Sequence, residues 1–140
     1  MIIILVVLIV GFFVIMALIN NSKDNDDLKN KALEEKFKVI VNHLTNYAFD
    51  DNYIVKPEGK RHLFLLHSQG NNHKIELLYN QGVLSIIWKY KYLQKELTYK
   101  KHLNNVRNLS LIEQNKIGQS IVGLMNLRIQ EFQASVWGEN

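Results

Sequence analysis

The sequence predicts an α+β protein: an N-terminal transmembrane helix, then a small domain of one helix, an antiparallel sheet of three to four strands, and a C-terminal helix. Three observations carry this. An unbroken apolar run fills positions 2–19. Segments of alternating apolar and polar residues separated by Gly- and Asn-rich turns occupy the middle, and apolar residues recur at steps of three and four toward the C-terminus.

Ile2 to Ile19 is 18 residues without a charged or polar side chain. At about 1.5 Å per residue the run spans roughly 27 Å, close to the thickness of a hydrocarbon core. A secretory signal carries a basic segment first and a small-x-small cleavage site at its end. Here Met1 leads directly into Ile2, and Ile19 stands two residues after Ala17 where the second small residue is required. Processing as a lipoprotein needs a Cys, and the chain has none. The run therefore reads as a retained single-pass anchor, with the bilayer as partner of residues 2–19. Lys23, Lys29, Lys31, Lys36 and Lys38 all follow it within a short distance, interrupted by Asp24, Asp26 and Asp27. Positive charge marks the cytoplasmic flank, so the soluble domain is expected in the cytoplasm.

Residues 20–27 are polar and acidic and read as a short solvated connector, leaving 28–140 as one small α+β domain. Leu28, Leu33, Phe37, Ile40, Val41, Leu44 and Tyr47 fall at steps of three to five, which predicts an amphipathic helix from Asp26 to Tyr47. The stretch 49–62 reads as a loop, since Asp50, Asp51 and Asn52 form turns and Pro57 and Gly59 punctuate it. Three strands follow at "HLFLLHS", "HKIELLYN" and "VLSIIWKYKY", joined by "QGNN" and "NQG", and "KELTYKKHL" is a candidate fourth. Apolar parity shifts near Tyr92, which predicts a bend or bulge there. Ser110 and Glu113 have capping-box spacing, so a helix starts at Ser110 and presents Ile117, Ile121, Met125, Ile129, Phe132 and Val136 as one stripe. Gly118 and Gly123 within that helix each cost about 1 kcal/mol relative to Ala, which either the packed stripe offsets or close helix contact explains.

The basicity is local. Positions 86–107 hold Lys89, Lys91, Lys95, Lys100, Lys101 and Arg107 against Glu96 alone, a net of +5 in a chain whose total is +4. These residues are the candidate contacts for a partner or for anionic headgroups, which attract a tethered basic face at about 1 kcal/mol per cation near the surface. Nucleic acid is the weaker reading of the same residues. Period-two geometry puts Trp88, Tyr90 and Tyr92 on the face of Leu84 and Ile86, with Lys89 and Lys91 on the other, so rings and ammonium groups do not line one groove.

Catalytic and metal patterns fail on spacing. His67 and His73 bracket the first hairpin loop and meet across it only if the register pairs them, and two ligands do not complete a metal site. Asp50 and Asp51 are adjacent carboxylates in a loop, more simply turn residues than an acid–base pair. Asp24, Asp26 and Glu35 sit at positions 1, 3 and 12 of a calcium loop, but Leu28 and Lys29 break the ligand pattern. "PEGKRH" lacks the remainder of a phosphate loop, and Ser68 has no nucleophile-elbow glycines. With no cofactor motif and no catalytic constellation, the expected role is a membrane-tethered, non-enzymatic binding or assembly domain acting through protein–protein contacts at the membrane surface. The partner surface is either the sheet face left bare by the helices or the basic segment. Binding of nucleic acid or an acidic partner through 89–107, and a metal-dependent enzyme, are the alternatives.

Overall fold

The computed structural model describes residues 1–29, 31–49, 52–70 and 72–138. Helix α1 covers Ile2–Asp27, α2 Leu33–Lys36 and α3 Lys38–Tyr47. Strands β1 (Tyr53–Pro57), β2 (His62–His67), β3 (His73–Asn80), β4 (Val83–Tyr92) and β5 (Lys95–Leu103) follow, and α4 (Leu111–Gly138) closes the order. The α+β class holds, with five strands among the described residues where the sequence suggested three to four. They form one antiparallel meander in the order β1-β2-β3-β4-β5.

Helices α3 and α4 cover one face of this sheet. Phe37, Ile40, Val41 and Leu44 from the α3 region and Ile121, Val122, Met125 and Ile129 from α4 close over Leu63, Leu65, Ile75, Leu77, Leu84, Ile86 and Trp88. The alternation read from β3 and β4 is present residue by residue: Ile75, Leu77, Tyr79, Leu84, Ile86, Trp88 and Tyr90 are buried. Ser110 caps α4 as its spacing predicts, its amide donating to Glu113 Oε2 at 2.8 Å and its Oγ accepting the Glu113 amide at 3.2 Å. Of the two helix glycines only Gly118 marks a close approach. A Cβ there would stand 2.6 Å from His43 Cδ2 on α3, whereas one at Gly123 would meet nothing within 4 Å.

Four expectations require correction. Residues 20–27 are helical: nothing in Asn20–Asp27 breaks a helix, and α1 runs on as one element to Asp27. The amphipathic helix does not begin at Asp26. After α1 the chain turns so that Leu28 and Leu33 both enter the core, and it breaks again at Phe37 between α2 and α3. Buried Gln114 of α4 serves that second break, donating to the Lys36 carbonyl at 2.9 Å and accepting the Val39 amide at 3.3 Å. Third, Tyr53–Pro57 is a strand and not loop, pairing with β2 from Tyr53↔His67 to Pro57↔Leu63. It lies at the sheet edge, where a proline removes no ladder bond. Fourth, the parity shift after Tyr92 is a two-residue hairpin, not a bulge, because Leu93 (φ 48°) and Gln94 (φ 65°) both adopt the left-handed conformation between Tyr92 and Lys95. The β3–β4 turn has the same form at Gln81 (φ 53°) and Gly82 (φ 71°).

The apolar part of α1 is exposed rather than buried in the domain, with only the β3–β4 turn beside its last turns among the described residues. It is long and apolar enough to cross a membrane.

Candidate functional site

Two features outside the core have chemistry to account for: a polar clamp where α1 meets the domain, and the sheet face that no helix covers.

The clamp centres on Asp24, which is 0% exposed. Its carboxylate accepts the backbone amides of Gln81 and Gly82, the latter at 2.9 Å, and the Arg107 guanidinium at 2.8 Å. Arg61 approaches it at 3.8 Å and also donates to the Asn21 carbonyl at 3.0 Å, one turn earlier on α1. A turn further on, Asp27 pairs with Lys36 Nζ at 2.7 Å and accepts the Tyr79 hydroxyl. Lys36 donates as well to the Arg107 carbonyl at 2.7 Å. Burial, and then the hydrogen bond and negative charge of Asp27, hold the Tyr79 phenol well above its ordinary range, so it remains a donor. Gly82 suits this turn: its φ is +71°, and a Cβ there would press on the Arg107 guanidinium, 2.8 Å from Nη1. Local sequence logic misses this clamp because Asp24, Gly82 and Arg107 are distant in the chain, and acids following an apolar run resemble a connector. The β3–β4 turn also lies along α1, with Asn80 and Gln81 sharing a crevice with Val14, Ala17 and Leu18.

The bare face reads in rows across the strands. One row runs Ile54, Leu66, Lys74, Lys89 and Thr98; the next runs Lys56, Phe64, Glu76, Ile87 and Lys100; a third runs His62, Leu78, Ser85 and His102. Ile54 is 59% exposed, and Leu66, Phe64 and Ile87 are partly so. The β1–β2 side is thus apolar at Ile54, Leu66 and Phe64, and the β3–β5 side is cationic at Lys74, Lys89 and Lys100. His62 bonds Glu76 at 2.7 Å, and Lys91 lies 3.8 Å from Glu96.

The six basic candidates separate on this map. Lys89, Lys91 and Lys100 belong to the bare face. Lys95 and Lys101 have the opposite parity on the edge strand β5, opposite Tyr92 and Ile86. Arg107 belongs to the clamp. Lys74 of β3, outside the basic segment, joins the bare-face group, as the alternation in β3 implies, and the strand register sets it opposite Lys89. Lys91 and Lys95 lie at the end of the sheet remote from the anchor, since β4 starts beside the clamp and rises about 3.3 Å per residue.

At that remote end the rings of His67 and His73 are 6.4 Å apart, so the register does bring them together. His73 is buried, with Nδ1 at 2.7 Å from the Tyr53 hydroxyl and its ring 4.4 Å from that of Tyr90. A crevice of about 400 Å³ opens there between Phe49, His67, His73, Tyr90, Tyr92 and Gln133. Among the described residues no group of three or more His, Cys, Asp or Glu side chains is placed to hold a metal ion. Asp50 and Asp51, read as a carboxylate pair, lie outside the described residues.

Comparison with protein-family models, with curated proteins and with solved structures gives no match to this chain.

Proposed function

We propose that the protein is a single-pass membrane protein whose cytoplasmic domain is a non-enzymatic platform, holding its bare sheet face at a set distance and orientation beside the bilayer for another macromolecule. The observation that carries this reading is the clamp. A flexible tether would leave the domain free to turn, whereas here the last turns of α1 are bonded into the fold through Asp24 and Asp27, so the anchor determines where every surface points.

The exposed apolar length of α1 supports membrane residence, because monomeric soluble proteins rarely leave so large an apolar surface in water. Exposed Lys23, Lys29, Lys31 and Lys60 surround the helix exit and suit the cytoplasmic side, where each cation near anionic headgroups contributes about 1 kcal/mol. Lys89 and Lys91 are farther from that exit. A position eight residues along a strand lies about 26 Å away, well beyond the Debye length of about 8 Å, so these lysines serve a partner in the aqueous phase.

The test places a photo-crosslinking amino acid at Ile54 or Thr98, at opposite ends of one bare-face row, and at Gln119 or Gln130 on the exposed side of α4. Irradiation of intact membranes should give a discrete protein adduct from the first pair and none from the second. Equal labelling from both faces, or adducts from neither, would contradict a platform that works through this face.

A further inference from the structure

Resting on that reading, we infer that the bare face receives an acidic amphipathic helix of a partner protein, laid along β2 with its apolar side on Ile54, Phe64 and Leu66 and its carboxylates over Lys74 and Lys89. The decisive observation is a like-charged pair without a carboxylate partner. Lys74 and Lys89 stand directly opposite each other on β3 and β4, and like charges at directly opposed positions oppose strand pairing. Neither has a carboxylate partner among the described residues; Lys74 instead leans over the Phe64 ring, with Nζ 3.8 Å from its centroid. In contrast, Glu76 is engaged by His62, and Glu96 lies beside Lys91. The two lysines thus lack a carboxylate partner in the middle of the sheet, away from the edges where lysine blocks unwanted pairing.

Dimensions fit the occupant. Strands lie about 4.8 Å apart and a helix is about 10 Å across, so a helix laid along β2 has its flank above β3, and a lysine side chain on β4, one strand farther, reaches that flank. Its apolar residues at i, i+3, i+4 and i+7 would meet the exposed Ile54 column, and glutamates along that flank would meet the lysine pair. An anionic bilayer offers the same charge without the directional apolar stripe, and Ile54, Phe64 and Leu66 favour the helix.

The experiment uses the full chain in nanodiscs of zwitterionic lipid and a labelled synthetic helix with a leucine stripe flanked by glutamates, followed by fluorescence anisotropy. A second helix with lysines for the glutamates is the control, and vesicles containing anionic lipid are the competing surface. The acidic helix should bind and the basic helix should not. Lys89→Glu should weaken binding about tenfold or more while raising the melting midpoint, because it converts the opposed lysines into an ion pair. Lys101→Glu, of opposite parity, should leave binding unchanged. Three results would overturn the inference: no binding of the acidic helix, equal binding by the Lys89→Glu chain, or a loss on Lys89→Glu seen with anionic vesicles and not with the helix. If photo-adducts from Ile54 and Thr98 persist in the first case, the platform reading survives and its partner has another chemistry; if they are absent too, both fail.

Discussion

Asp24 accepts the amide of Gly82 at 2.9 Å across 58 residues of sequence, joining the anchor helix to the turn between β3 and β4. The same carboxylate takes the Arg107 guanidinium from the segment leading into α4. One buried acid therefore collects three parts of the chain, and the helix that meets the bilayer is also a component of the domain. Placement of the sheet follows from that side chain.

Replacing Asp24 by Ala leaves Arg107 and two turn amides without their acceptor. Truncating one member of a buried ion pair costs about 3–5 kcal/mol, and with Arg107 part-exposed the lower end applies. Denaturant unfolding followed by Trp88 fluorescence should show this loss, while Lys23→Ala, exposed on the same helix, should stay within about 0.5 kcal/mol of the parent. Equal effects from the two substitutions would contradict the clamp.

The two glycines of α4 should respond with opposite signs. Gly118→Ala drives a methyl into His43 at the α3–α4 contact and should destabilise by about 1–3 kcal/mol. Gly123→Ala fills open space and should stabilise by about 1 kcal/mol through helix propensity. Thermal melts of both variants check the pair.

Tyr79 gives a pH dependence of known sign. Its phenol is raised in the folded state by burial and by Asp27, so the stabilisation is fully present below the unfolded value of about 10 and is lost as pH rises above that toward the folded value. The melting midpoint of the parent should fall more steeply above about pH 10 than that of Tyr79→Phe. Parallel curves would remove Tyr79 from the account.

The β4–β5 turn stores strain. Leu93 and Gln94 both occupy left-handed conformations that favour Asn and Gly, at a cost of about 1–2 kcal/mol for an ordinary residue. Leu93→Asn with Gln94→Gly should therefore stabilise by about 1–2 kcal/mol with the hairpin register unchanged, as measured by denaturant midpoint.

What the sequence revealed follows from how local each signal is. Alternation from Leu84 to Tyr90 places rings inside and lysines outside because side-chain period in a strand is two, and Ser110 with Glu113 marks a helix start because the capping box spans four residues. Leu93–Gln94 was invisible as a turn for lack of Gly or Asn. Tyr53–Pro57 was hidden by the turn-forming residues on both sides of a short β-branched run. The clamp and the Lys74–Lys89 opposition depend on contacts between distant segments, which no window of sequence contains; only the register between β3 and β4 puts those two lysines together.

The central claim is that the anchor and the sheet move as one body, and a distance tests it most directly. The chain contains no native Cys, so spin labels can be attached at Ser22→Cys on α1 and Thr98→Cys on β5, and their separation measured by pulsed electron resonance in bilayer nanodiscs. The account predicts one narrow distance population that broadens when Asp24→Ala is added. A broad distribution in the parent chain, unchanged by Asp24→Ala, would show a domain hanging on a flexible tether and contradict the account.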